Sequence, residues 1–229
     1  PRRIFVLPRG NVTDPGEEVG PGAIAAIHLP DVPSRFKLAN PNDEASRRAE
    51  LAKWITSDAN PLTWRSIVTR VWLYHFGRGV VDSPNDFGRM GQLPSHPRLL
   101  DWLAAEFRDR GQSIKQLQRM IVTSSVYRQS SAGDAAKEKI DAGDVYLWHM
   151  TRRRLEAEAN HDTLLQVTGR LNLQMGGPGY STFEFKDDPS PHYFYHKHDV
   201  DDPKSLRRSI YRFIVRSVPD PFLTTLDCA

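Results

Sequence analysis

Residues 60–127 read NPLTWRSIVTRVWLYHFGRGVVDSPNDFGRMGQLPSHPRLLDWLAAEFRDRGQSIKQLQRMIVTSSVY, and the spacing of apolar residues and breakers in this stretch decides the fold. Asn60 before Pro61 marks a helix start: the amide side chain accepts from an orphan backbone N–H, and proline in the first turn removes a donor that has no partner there. Trp64, Ile67, Val68, Val71, Trp72 and Phe76 recur at helical spacing as one broad stripe, and Gly77 supplies the left-handed residue that closes such a helix. A second helix is predicted with Ser95 as its cap, Leu99, Leu100, Trp102, Leu103 and Phe107 inward, and Gly111 at its end. A third follows Ser113, with Ile114, Leu117, Met120 and Ile121 inward, and the short link at Gly111-Gln112 makes these two helices neighbours. Trp54, Trp64, Trp72 and Trp102 all fall among aliphatic residues at helical spacing and are expected in a core.

Upstream, residues 43–56 carry Leu51, Trp54 and Ile55 on one face and Arg47, Arg48, Glu50 and Lys53 largely on the other, with Asn42 or Asp43 as N-cap. Before that, the run Ile4-Phe5-Val6-Leu7 reads as a strand, followed by Pro8, Gly10, Pro15, Gly16, Gly20, Pro21 and Gly22, which break any period. Residues 78–94 have loop chemistry, and residues 130–144 are small and polar, hence exposed. A long helix is expected from Thr151 to near Gly169, with Leu155, Leu164, Leu165 and Val167 as its apolar side and Arg154 and Glu158 four residues apart. After Met175 the helix signals vanish: Phe183, Phe185, Tyr193, Phe194 and Tyr195 supply aromatic strand-like pieces, and residues 208–216, RSIYRFIVR, are rich in β-formers. The predicted fold class is mainly α: a compact multi-helix core with a small β-containing, loop-rich N-terminal segment and C-terminal tail. One domain is expected over residues 1–229, comprising an extended wrapping segment at 1–40, a helical core at 41–170 and a loop and strand tail at 171–229.

The formal charge of +3 comes from 31 Lys and Arg against 28 Asp and Glu without any basic tract, which argues against nucleic acid as a partner. The single cysteine, Cys228, rules out a disulfide within the chain and a thiolate metal cluster, and no C-x-x-C-H haem attachment motif is present. No apolar run is long enough for a membrane span. The opening Pro-Arg-Arg and the ending Asp-Cys-Ala give the expectation of a piece of a longer polypeptide.

Two constellations carry chemistry. In the loop after Gly77, Asp82 and Asp86 with His75 on the preceding helix are candidates for general acid–base work, and Arg70 and Asn85 for binding a sugar through planar hydrogen-bonding groups. The competing structural reading is that these residues cap and close turns, as Asp and Asn commonly do. In the tail, His196 and His198 would point to one side of an extended strand and hold a divalent metal, with Asp199, Asp201 or Asp202 completing the shell. Against this stands an exposed loop whose histidines touch nothing in particular. Tyr180, Tyr193 and Tyr195 suit an exposed aromatic platform for carbohydrate better than the tryptophans do. No G-x-S-x-G, phosphate loop or dinucleotide fingerprint is present.

The ordered set NPLTWRSIVTRVWLYHFGRGVVDSPNDFG, PSHPRLLDWLAAEF, SIKQLQRMIVTSSVYRQSS, RRRLEAEANHD, LLQVTGRL, MGGP, RRSIYRFIVRS and PDPFL resembles the PSD-one domain, a domain of unknown function abundant in planctomycetes. The resemblance covers nearly the whole chain. It implies an exported parent protein, periplasmic or at the cell surface, in which neighbouring domains include a cytochrome c domain, so that haem c is expected on that neighbour; in this chain no cofactor is expected beyond the divalent metal of the His196 and His198 reading. Where the family has Arg before Asp in the long helix, this chain has His161 before Asp162. The leading expectation is an accessory or substrate-engaging module for polysaccharide. A carbohydrate-active enzyme or metal-dependent hydrolase is the alternative, and a structural interaction scaffold the third reading.

Overall fold

The computed structural model describes residues 3–226, so Cys228 lies outside the described residues. The described residues are mainly helical, with seven α-helices and one two-stranded sheet. None of these helices is long and apolar enough to cross a membrane. The chain divides into two compact units, Pro1–Arg152 and Arg153–Ala229, and the helical core expected over 41–170 runs across that division.

The first unit is built on α1 (Glu44–Thr56), α2 (Pro61–Phe76), α3 (Pro97–Asp109) and α4 (Ile114–Thr123), with α2 packed on both α3 and α4. Asp43 caps α1 by accepting from the Ala45 and Ser46 amides, Asn60 caps α2 through Leu62 N–H, and Ser113 caps α4 through Gln116 N–H. Gly77 closes α2 at φ 78°, where a side chain would be strained. Trp64, Val68, Trp72 and Phe76 of α2 meet Leu100, Leu103 and Phe107 of α3 and Leu117 and Ile121 of α4, and Val80 and Val81 cover one end. Each such side chain taken out of water contributes about 1.5–3 kcal/mol, so this cluster is the main stabilising element of the unit.

Several expectations are corrected here. Trp102 is 52% exposed, because it lies more than a third of a turn round the helix from the centre of the Leu100–Leu103–Phe107 stripe and so on the far side of α3. Leu51 and Ile55 of α1 are exposed as well, leaving Trp54 as that helix's buried anchor. Ser95 does not cap α3; the N-cap is His96, and the Ser95 amide and hydroxyl both donate to the Val80 carbonyl. The N-terminal run forms no strand, only the isolated bridges Phe5 to Glu18 and Gly22 to Arg35, since its prolines and glycines interrupt the ladder. Within residues 130–144 a short exposed helix, α5 (Ala135–Ile140), is capped by Asp134.

In the second unit the long helix begins later than its sequence suggests. Residues 151–156 are coil, with the Thr151 hydroxyl donating to Asp144, and α6 spans Ala157–Val167. Leu155, Leu164 and Val167 are exposed. The strands β1 (Glu184–Lys186) and β2 (His192–Phe194) pair antiparallel, with Phe185 opposite Tyr193. The segment 208–216 is not a strand: Ser209–Tyr211 is a 3-10 turn, and only Arg212 bridges, to Tyr180. That bridge depends on Gly179, whose Cβ would come 2.7 Å from the Tyr211 carbonyl, the group that accepts the Tyr180 amide. Tyr180 is buried and so presents no carbohydrate platform. The unit ends in α7 (Pro221–Thr225), capped by Asp220.

Candidate functional site

The candidates in the loop after α2 are each held by local structure. Asp82 pairs with Arg78 at 3.1 Å. Asp86 closes a turn by accepting from Gly88 N–H at 2.8 Å, while its carbonyl takes the Ser83 hydroxyl. Arg70 and Asn85 are brought together, the guanidinium donating to the amide oxygen at 2.8 Å and to Ser66 at 2.5 Å. His75 sits edge-on to Tyr127, 5.8 Å between ring centres. Asp82 and Asp86 thus each have a partner within the loop itself, as turn-forming residues commonly do.

The histidine-rich tail is arranged differently from an extended strand. Tyr195–Lys197 is a 3-10 turn, so His196 and His198 do not alternate along a strand. Asp199 accepts from the Asp201 amide, Asp201 pairs with Arg170 at 2.6 Å, and Asp202 caps the turn Pro203–Leu206. Among the described residues, no group of three or more His, Cys, Asp or Glu is placed to hold a metal ion. Tyr193 packs against Phe183 and Phe185.

What the structure does bring together is a cleft of about 480 Å³ in the second unit, lined by His161, Thr182, Tyr195, His196, His198, Val200, Ser205, Arg212, Asp220, Pro221 and Phe222. Its inner wall is an ion pair. Arg212 Nη1 donates to Asp220 Oδ2 at 3.3 Å, with side chains only 5% and 11% exposed. Thr182 donates to the same oxygen at 2.8 Å, and Asp220 Oδ1 accepts the Phe222 and Leu223 amides of α7. One carboxylate therefore fixes the helix, the threonine and the guanidinium at once. Arg212 Nε is buried without a hydrogen-bond partner.

α6 brings His161 to this wall. Its Nδ1 lies 3.0 Å from Ser209 Oγ and 3.5 Å from Asp162 Oδ1, and its ring meets Phe222 edge-on at 5.7 Å. Burial, and then the Arg212 charge, hold the imidazole below its ordinary value of 6.5 against the pull of Asp162 and Asp220. Burial works to raise the Asp162 carboxyl, but hydrogen bonds from Ser209 and His161 outweigh it and keep it below the usual carboxylate range. Burial and the Asp220 charge push the Tyr195 phenol up, and its hydroxyl donates to the Val218 carbonyl at 2.8 Å. Ser209, His161 and Asp162 are not a nucleophilic triad: both partners meet the same ring nitrogen, and Ser209 is buried. Nε2 is left as the nitrogen that can face a ligand.

Of the sequence candidates, Tyr195, His196 and His198 line this cleft, whereas His161, Arg212 and Asp220 did not figure among them. Asp220 was legible as a helix cap from Asp-Pro, and His161 stood out beside Asp162. Arg212 was masked by the β-forming composition around it.

The family model PSD1, described as "Protein of unknown function (DUF1553)", matches residues 47–229. No curated protein and no solved structure matches the chain.

Proposed function

As the chain belongs to the PSD1 family, proteins of unknown function, we propose that it is a substrate-engaging module whose second unit holds a hydroxyl-rich, polysaccharide-type ligand in the cleft around Arg212 and Asp220. The observation that carries this reading is the buried Arg212–Asp220 pair, which lines an open cleft beside the ring of Phe222. Burying two charges costs several kcal/mol each, which is offset only where their geometry is tightly fixed and further hydrogen bonds satisfy them. With the Asp220 oxygens engaged within the unit, the guanidinium so fixed is the group left to donate to neighbouring hydroxyls, and the half-exposed ring offers a face for a sugar's apolar side. The proposal keeps the module in an exported protein beside a haem-bearing domain, and that part rests on the resemblance alone.

Affinity electrophoresis of the full chain through a panel of plant and algal polysaccharides tests the reading. At least one polysaccharide should retard the protein, and Phe222→Ala, with an unchanged circular dichroism spectrum, should abolish the retardation. Migration unaffected by every polysaccharide would remove the proposal. A second reading, a carbohydrate-active enzyme, is favoured by one observation: His161 and Tyr195, both displaced from their ordinary protonation ranges, share the cleft. Release of reducing ends from a retained polysaccharide, lost in His161→Gln, would favour it over simple binding.

A further inference from the structure

The charges around the cleft determine more than its location. Arg212 is matched by Asp220 at 3.3 Å, and Thr182 and Ser205, which line the same wall, carry no charge. Three outlying cations of this unit are matched as well: Arg208 stands 3.6 Å from Asp162, Arg170 2.6 Å from Asp201, and Lys197 3.9 Å from Glu184. Arg207 is spent on backbone, donating to the carbonyls of Pro178, Gln174 and Gly176 while its guanidinium lies 3.8 Å over Tyr211. An anionic group entering beside Arg212 would meet Asp220, itself only 11% exposed, at the same distance scale. It would lose hydration at this wall without gaining an unmatched cation in Arg212.

Resting on the cleft being a saccharide site, we infer that it selects uncharged sugars and rejects their uronate counterparts, with the Asp220 carboxylate as the excluding group. The device is a repulsive element built beside an attractive one, which is how discrimination between near-isosteric ligands is achieved. A hexose and its hexuronate differ only in CH2OH against COO⁻ at C6, so the two bring the same ring and the same remaining hydroxyls to Phe222, His161 and Thr182. His161, held neutral at physiological pH by burial and by Arg212, adds no cation that would reverse the preference.

The test uses the full chain and matched oligosaccharides in isothermal titration calorimetry at neutral pH: mannohexaose against hexamannuronate, cellohexaose against its C6-oxidised form, and galactohexaose against hexagalacturonate. The neutral member of the bound pair should bind at least about tenfold tighter, and its affinity should change less than about twofold when salt is raised from about 50 to about 500 mM. Asp220→Asn, which keeps one oxygen for the α7 amides and turns an NH2 towards Thr182 and Arg212, should narrow or reverse the preference in a chain whose circular dichroism spectrum is unchanged. A hexuronate that binds as tightly as its neutral partner or tighter, with affinity falling steeply with salt, would overturn the inference while leaving the saccharide site standing. If no member of any pair binds, the saccharide reading itself fails and takes the inference with it.

Discussion

At the scale of single residues, His161 is the group whose chemistry the fold alters most consequentially. The folded chain holds its ring below the ordinary value of 6.5, chiefly by burial and then through Arg212, so the unfolded chain takes up the proton first as pH falls. Stability from this source is complete above that value and drains away below it, down to the lowered value. Asp162, also lowered, acts in the same sense but only near and below its ordinary 3.8. His161→Gln should therefore flatten the loss of urea stability as pH falls below about 6.5 relative to the unaltered chain, with circular dichroism as the measurement. An identical slope in both proteins would mean that the ring is solvated and titrates normally. Little of this was legible in the sequence. Adjacent His and Asp gave no hint that Ser209, 48 positions away, would sit against the same ring nitrogen.

At the scale of elements, Asn60 ties two helices together. It is 1% exposed, accepts from Leu62 N–H at 3.1 Å to start α2, and donates to the Trp54 carbonyl of α1 at 3.0 Å. Asn60→Ala removes the cap and strands a buried carbonyl, and the expected loss is about 2–3 kcal/mol in chemical unfolding of the first unit. A loss of only a few tenths would show that water reaches this corner. The start of α2 was readable because capping is local: Asn-Pro and the closing glycine decide it within a turn. Trp102 was misread for the opposite reason, since its burial depends on which side of α3 meets α2, and two residues' offset from Leu100 turns it to solvent. Residues 208–216 failed similarly. Their β-forming side chains found no partner strand, and the chain settled into a 3-10 turn with one bridge to Tyr180.

At the scale of the whole molecule, the division between Arg152 and Arg153 falls in the coil 151–156, which is exposed and carries three successive arginines. Trypsin at low ratio should cut there before elsewhere, because an extended exposed segment fits a protease and a packed helix does not. Mass spectrometry of the first products should find ends within residues 152–154, and first cuts inside α2, α3 or α6 would contradict the two-unit description. That division also sorts the chromophores. All five tryptophans, Trp54, Trp64, Trp72, Trp102 and Trp148, precede Arg153, so the half that holds the Arg212–Asp220 cleft contains tyrosines and no indole. An indole emission melt would thus follow the helical half alone and stay silent while the cleft came apart. Introducing a Trp at Phe222 would give that half a lamp of its own.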